Sequence, residues 1–585
     1  MNYLNPIFTE KRECQDCYKC VRNCPVKAIK VEGGYASVVP ELCIVCGHCV
    51  EVCPNGAKKV RDDLANARQL LTLKKSVFVS LAPSFVTEFP GVKPAQMIGA
   101  LKKFGFAGVS ETALGAQQVS AQAAALLQKN PERVLASSAC PTVVAFLQKH
   151  RANGAELLTG LLSPLLTHCK MLRQTFGVDI GIVFIGPCIA KKMEAAQHPE
   201  LLEVVLTFED LRRWLEQEKI APENLTVTTG DHFVPENSAE GAWYPVDGGM
   251  IAGMKSACAV NDCSLMAFSG IGAIKKALDG VEDIKPDNGL FLELLACEGG
   301  CVNGPKVLRR DATVMKRQRV LRSVTAPQVP FPRPPIMETP ADFRVAPVAV
   351  VRFPDSQIRE ALRNVGKFSP DDELNCGGCG YDTCREFGIA LIGHKAERAM
   401  CVTYMRQLAF KKANALIQKM PSAVVIVNEA MRVIEFNATF VNLFAPEKVA
   451  GGSVAVSIEG MALAELVPFA SLFHNVLKTG EDILDRDLRF QNTILHAAIF
   501  SIEKHGLVGG ILQDITEPAV QKEQVIRRAR EVIQKQLATT QQIAYLLGEN
   551  AADAEITLNS IIESFSPPKP DELKENHDWR KLYRR

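Results

Sequence analysis

A chain of 585 residues is long enough for several domains, each able to bury its own core. Lysine and arginine total 67 against 65 acidic residues, so the balance gives no general case for nucleic-acid or membrane-surface binding. The opening Met-Asn-Tyr-Leu-Asn-Pro lacks an apolar signal core, and no run of about 18 apolar residues occurs. The expectation is a cytoplasmic chain whose 19 cysteines are reduced and largely metal-bound, not paired in disulfides.

The first module is the plainest. Cys14-x2-Cys17-x2-Cys20-x3-Cys24-Pro25 recurs as Cys43-x2-Cys46-x2-Cys49-x3-Cys53-Pro54. This is the run of bacterial two-cluster ferredoxins, in which the fourth cysteine of each run ligates the other cluster. One 4Fe-4S cluster would take Cys14, Cys17, Cys20 and Cys53, the other Cys43, Cys46, Cys49 and Cys24. A pair of structural zinc sites is the alternative; the duplicated run with trailing prolines favours clusters. Residues 1–62 are assigned to this module.

Residues 63–325 alternate apolar runs with amphipathic patterns. Val77-Phe-Val-Ser-Leu-Ala82 and Ile180-Gly-Ile-Val-Phe-Ile185 read as buried strands, while 95–103 and 208–217 read as helices. Such alternation predicts a parallel sheet covered by helices, with ligands meeting in a crevice at the strand C-termini. Four cysteines stand in three short segments there: Ser-Ser-Ala139-Cys140-Pro141, Gly186-Pro187-Cys188-Ile-Ala-Lys191, and Ala-Cys297-Glu-Gly-Gly-Cys301. Their spacing is no zinc-finger pattern; thiolates gathered from distant segments suit one buried cubane. Cys169, Cys258 and Cys263 match no ligand motif and read as small buried hydrophobes. His168 reads as a surface or core histidine.

These three segments resemble the active-site motifs of the iron-only (FeFe) hydrogenases. The resemblance implies an H-cluster: a 4Fe-4S cubane on Cys140, Cys188, Cys297 and Cys301, with Cys301 bridging to a two-iron subcluster that carries CO, cyanide and a bridging dithiolate. It also implies that Lys191 pairs with a cyanide, that Ala82-Pro83-Ser84 lines the two-iron site, and that Pro141 and Pro187 belong to the same pocket. Hydrogen would react between Gly186, Ala139 and Lys191. The departures are specific. Ala139 stands where catalytic members carry a proton-relaying cysteine, Gly186 and Leu295 replace methionines, and Leu165 replaces a glutamine. Together they point to the PAS-containing sensory branch of the family.

Seven prolines between Pro327 and Pro347 predict an extended connector over 326–350. Residues 351–402 then carry Cys376-Gly-Gly-Cys379-Gly-Tyr-Asp-Thr-Cys384, with Cys401 further on. The pattern resembles the 4Fe-4S module of sensory hydrogenases and some corrinoid proteins; a structural zinc remains the alternative. The stretch 394–419, free of Gly and Pro after Lys395, reads as one helix that carries Cys401 and continues, over 403–419, as a connector. Residues 420–517 show short strands at 423–428 and 431–436, a helix at 437–444, and paired strands at 497–502 and 508–513 closed by Asp514-Ile-Thr516. They resemble a PAS domain. In 518–585, Val525, Ala529, Val532, Ile543 and Leu546 suit either a dimer seam or a helix packed on its own domain, followed by a polar tail.

The fold expected is thus multidomain α/β: a two-cluster ferredoxin fold, an H-cluster domain, a small 4Fe-4S domain, a PAS domain and a C-terminal helix. The resemblance implies a slow, regulatory iron-only hydrogenase. It would sense hydrogen or redox state and relay it through three accessory clusters to a separate kinase or phosphatase. H2 and protons, a redox partner such as ferredoxin, and a second copy of the chain are the other expected partners. A working ferredoxin-linked hydrogenase and a non-catalytic protein holding only the cubane are the alternatives.

Overall fold

In the computed structural model, residues 5–257, 263–324, 335–348, 351–446, 458–516, 530–536 and 538–539 are described. The chain forms two compact units, 1–400 and 401–585. No helix among the described residues is long and apolar enough to cross a membrane.

The ferredoxin module opens the first unit. Strands Ile7–Thr9 and Lys58–Val60 pair antiparallel, as do Ile29–Glu32 and Tyr35–Val38, and short helices Lys19–Arg22 and His48–Glu51 carry one cysteine each. The strands are short, and Ile7, Val21, Ile29, Val31, Ile44 and Val45 are buried between them and the two cysteine loops.

The next domain holds two parallel sheets where the sequence suggested one. The first has the order Gly108–Glu111, Val77–Leu81, Gly181–Gly186, Val204–Thr207; the second has Ser264–Ser269, Leu290–Leu295, Val134–Ala136. The split follows from helix Ala113–Lys129. It leaves the first sheet after Glu111 and leads into Val134–Ala136 of the second. It is buried nearly all round, and its Val119, Ala123, Ala124 and Leu127 pack with Leu135 and Phe291 of the second sheet. An apolar helix with no wet face belongs inside a domain, not over it. The helices expected at 95–103 and 208–217 are present as Pro94–Lys103 and Phe208–Gln217.

Residues 335–348 are extended, as their prolines require, and are fastened to this domain. The Thr339 carbonyl accepts from Leu162 N–H (2.8 Å), Ala341 N–H donates to Gly160 (2.8 Å), and the Thr339 side chain is buried against Gln122. This part of the link is a strap, not a free spacer. Helices Asp355–Arg363 and Cys384–Ile392 then pack through Ile358, Leu362 and Cys384.

The helix expected over 394–419 begins only at Val402 and ends at Lys419. Residues 395–400 are recruited elsewhere. Lys395 carbonyl accepts from Val31 N–H (3.0 Å), Glu397 Oε1 accepts from Gly33 N–H (2.6 Å), and Arg398–Met400 form a tight 3-10 turn. Tertiary pairing with the ferredoxin module overrides helix propensity there.

In the second unit, five antiparallel strands run in the order Val433–Phe436, Ala423–Val427, Leu507–Asp514, Thr493–Glu503, Ile483–Phe490. Helices Ala438–Phe444 and Ala470–Thr479 contribute Phe440, Phe444, Phe473 and Val476 to the core with Val425, Ile499 and Leu512. Gly510 is needed because a Cβ there would lie 2.2 Å from the Phe473 ring. The strand at 483–490 and the helix at 470–479 were not anticipated. Asp514 and Thr516 close the sheet: Thr516 Oγ1 accepts from Ile494 N–H (3.1 Å). Of the C-terminal seam, Val532 lies in a described helical stretch, whereas Val525, Ala529, Ile543, Leu546 and the tail lie outside the described residues.

Asn437 fixes the start of this unit. Its buried Oδ1 accepts from Val424 N–H (2.9 Å) and Phe440 N–H (3.0 Å), while Nδ2 donates to the Ser422 carbonyl (2.7 Å). Asn437→Ala strands several buried polar groups at once and should cost the second unit about 2–4 kcal/mol, read as a lowered denaturant midpoint at unchanged slope.

Candidate active site

Cys140, Cys188 and Cys297 each follow the C-terminal end of a parallel strand: Val134–Ala136, Gly181–Gly186 and Leu290–Leu295. Cys301 opens the next 3-10 turn, Cys301–Asn303. The crevice rule for parallel sheets therefore holds across two sheets instead of one. Burial, then the charge of Cys140, pushes the Cys188 thiol up to about 11. Burial, then Cys301, Cys188 and Cys140, raises Cys297 well above its ordinary value; burial, then Cys140 and Cys188, raises Cys301. Each of the four thus lies within electrostatic reach of the others. Cys140, Cys188 and Cys301 line a cavity, and Cys297 does not reach its wall.

That cavity, about 110 Å³, is lined almost wholly by apolar groups. Ala82, Pro83, Ser84, Ala139, Pro141, Pro187 and Lys191 all reach it, and so do Leu165 and Leu295. Gly186 does not line it. A Cβ at 186 would sit 2.4 Å from the Phe184 ring and 2.9 Å from Ala82 Cβ, so the ring of Phe184 fills the space a side chain at 186 would need. Phe184 and Tyr244 on the cavity wall were missed by sequence reasoning; both read as ordinary core residues. Tyr244 Oη hydrogen-bonds Ser120 Oγ at 3.0 Å.

Two polar groups test whether the cavity suits a metal carbonyl–cyanide group. Ser84 is buried, and its Oγ has no hydrogen-bond partner among the described residues. A buried hydroxyl left unpaired costs about 1–3 kcal/mol unless a ligand satisfies it. Lys191 is buried beside the same space, where its ammonium donates to Ser163 Oγ (3.0 Å) and to Glu194 Oε2 (2.7 Å). Its charge is therefore already balanced by Glu194. The donor set of soft thiols, an orphan hydroxyl and a cation fits an anionic iron group.

The N-terminal cysteines bear on one another's charge in two groups, one with Cys20 and Cys53 and one with Cys24, Cys43, Cys46 and Cys49. Burial, then Cys17, Cys14 and Cys53, holds Cys20 up, to about 11, against the opposing pull of Lys58. Burial, then Cys24 and Cys43, pushes Cys46 up to about 12, and Cys49 is raised by burial and by Cys46, Cys43 and Cys24. Backbone N–H groups of Ala28 and Val45 donate to the sulfurs of Cys24 (3.1 Å) and Cys43 (3.3 Å), the contacts that tune a cluster thiolate. Gly47, between Cys46 and Cys49, has φ +86°, and a Cβ on it would fall 2.5 Å from Pro305 and 3.0 Å from Ile189, the neighbour of Cys188. Only glycine lets the ferredoxin loop come this close to the domain that carries Cys188.

In the third set, Gly377 (φ +68°) and Gly380 (φ +94°) turn the loop bearing Cys376 and Cys379, and Cys384 N–H donates to Asn375 Oδ1 at 2.7 Å. Cys401 is not a helix residue as expected: it caps helix Val402–Lys419 from an extended conformation. Among the described residues no three His, Cys, Asp or Glu side chains close in on a point as they would around a single metal ion. Cubane ligands sit on separate corners of a cluster and need no such point.

His168 is a core histidine. It is fully buried, its ring nitrogens lie 2.8 Å from Ser80 Oγ and Ser110 Oγ, and burial pushes it down to about 3. Cys169 is buried and Cys263 half-buried, while Cys258 lies outside the described residues.

Residues 75–305 match the family model described as iron only hydrogenase large subunit, C-terminal domain. Residues 6–54 match a 4Fe-4S dicluster domain and residues 372–403 a putative Fe-S cluster, spans that include every cysteine of the first and third sets. An NADP-reducing hydrogenase subunit of Solidesulfovibrio fructosivorans is 23% identical over 365 residues, covering 50% of this chain and 62% of that protein. Iron hydrogenase 1 of Clostridium pasteurianum is 25% identical over 317 residues, 43% of this chain and 54% of that one. The chain thus spans less than two thirds of either relative. A solved iron-iron hydrogenase variant from Chlamydomonas reinhardtii aligns at 18% identity over 49% of this chain and 100% of that chain, with a TM-score of 0.38.

One buried acid near the site gives a pH test. Glu293 accepts from Gly248 N–H (3.2 Å) and Ile251 N–H (3.0 Å), yet burial pushes it from 4.5 up to about 7. A carboxyl whose folded value is raised supports the fold below its unfolded value and loses that support as pH rises through the folded one. Glu293→Gln should therefore match the parent near pH 4.5 and exceed it by about 1–3 kcal/mol above pH 7, measured by unfolding across that range.

Proposed function

We propose that this chain, whose residues 75–305 match the iron-only hydrogenase large-subunit family model, is a sensory hydrogenase that reports hydrogen or redox state at low turnover. The observation that carries this reading is the cavity wall at Ala139, beside Cys140, where a methyl group faces the space in which a proton must be passed. Cys140, Cys188, Cys297 and Cys301 would hold the cubane, with Cys301 also bridging to the two-iron subcluster, which when bound supplies the centre at which hydrogen is split or formed. Ser84 would donate its unpaired hydroxyl to that group, Lys191 would hold a positive charge against it, and Phe184, Leu165 and Leu295 would exclude water. The Cys14-to-Cys53 module would exchange electrons with a carrier such as ferredoxin. Cys376, Cys379, Cys384 and Cys401 would hold a third accessory cluster. Residues 420–517, read as a PAS domain, and the C-terminal helix would present the signal to a separate kinase or phosphatase or to a second copy of the chain.

A second reading has one observation in its favour. Glu194 already neutralises Lys191, so a protein that keeps only the cubane would leave no buried charge unpaired. The orphan Ser84 hydroxyl counts against it.

A positioned proton carrier is worth about 10²–10⁴ in rate, so Ala139→Cys should raise hydrogen turnover by at least about tenfold in protein matured to equal metal content. Equal turnover would remove the relay argument. The sensory reading is tested by hydrogen exchange over 402–516. Protection should differ between hydrogen-reduced and oxidised protein, and the difference should vanish in Cys401→Ala. Identical protection, with every cluster shown to have changed oxidation level, would make this unit a docking module and not a switch.

A further inference from the structure

The loop bearing Cys376, Cys379 and Cys384 is seated on the ferredoxin module. Arg22 donates through Nη1 to the Gly378 carbonyl (3.1 Å) and through Nη2 to the Cys17 carbonyl (2.9 Å), so one guanidinium ties two cysteine loops together. Lys27 Nζ donates to the Gly380 carbonyl (2.7 Å) and pairs with Asp382 at 3.3 Å. Between these contacts the backbones touch. A Cβ on Gly380, at φ +94°, would lie 2.7 Å from Val21 Cγ1 and 3.1 Å from the Arg22 nitrogen. The next residue, Tyr381, is 3% exposed, and its Oη has no hydrogen-bond partner among the described residues. Cys379 and Cys24, from the two different modules, are the groups whose charge bears on that ring.

We infer that the ferredoxin site containing Cys24 exchanges electrons directly with the Cys376–Cys379–Cys384 site across Gly380 and Tyr381. The inference rests on reading both cysteine sets as 4Fe-4S clusters, as proposed above. In the step, one electron leaves the reduced cluster at Cys24 and enters the oxidised cluster at Cys379; no bond is made or broken and no proton moves. Gly47 makes the matching close approach toward Ile189 and the catalytic cysteines. The ferredoxin module is then a branch point, touching the catalytic domain through one glycine and the small module through another. The small module can follow the redox level of the ferredoxin without an electron passing through the catalytic cubane.

The test uses the full chain with its 4Fe-4S sites loaded, no hydrogen and no two-iron subcluster. Electron paramagnetic resonance of dithionite-reduced protein, minus that of Cys379→Ala, isolates the small module's cluster. Magnetic splitting of that signal by the reduced ferredoxin is expected. It should be lost in Gly380→Leu, and, where that variant binds less iron, in the double variant Arg22→Gln, Lys27→Gln at full iron content. An unsplit signal in the parent, or splitting that survives in the variants, overturns the inference. Because hydrogen and the two-iron subcluster are left out, this failure is distinct from failure of the sensory function.

Discussion

Burial of thiols is the constraint on which the first unit depends. Cys46, Cys49, Cys188, Cys297 and Cys301 are all held in surroundings that raise their pKa, so as free groups they would stay protonated. A cluster core reverses that preference, because the bound metal stabilises the thiolate and its binding free energy becomes folding free energy. The ferredoxin module shows the consequence most clearly: its strands have only three or four residues, and its two loops carry the buried thiols. The domain over 63–325 is less dependent, since its buried strands and the enclosed helix Ala113–Lys129 form a core without metal.

Glycine is the second recurring device. At Gly47 and Gly380 a missing Cβ sets the distance between modules, and at Gly186 it yields space to Phe184. These positions do different work with the same atom removed. In the first two the backbone of one cysteine loop meets another module. In the third a bulky ring closes the cavity wall where a side chain from the strand end would otherwise stand.

The cysteine sets were legible in the sequence because cluster ligation imposes spacing, and spacing survives any detail of packing. Cys53 bears on the charge of Cys20, Cys24 on that of Cys46, and Cys140 and Cys188 on that of Cys301, so segments far apart in the text come near one another in the fold. Contacts that depend on tertiary choice were not legible. The stretch 395–400 has helical composition, yet its backbone is drawn to Val31 and Gly33. The prolines of 335–348 predict extension correctly but say nothing of the surface they lie on. Phe184 alternates like any strand residue, so only the absence of room at Gly186 reveals its place in the cavity.

We propose that Cys140, Cys188, Cys297, Cys301 and the cavity beside them hold an iron group carrying diatomic ligands. Infrared spectroscopy of the full chain after treatment with the two-iron precursor tests it most directly. CO and cyanide bands are expected, with the cyanide bands shifted in Ser84→Ala as its hydroxyl is removed. A chain with a full complement of 4Fe-4S clusters and no such bands would contradict it.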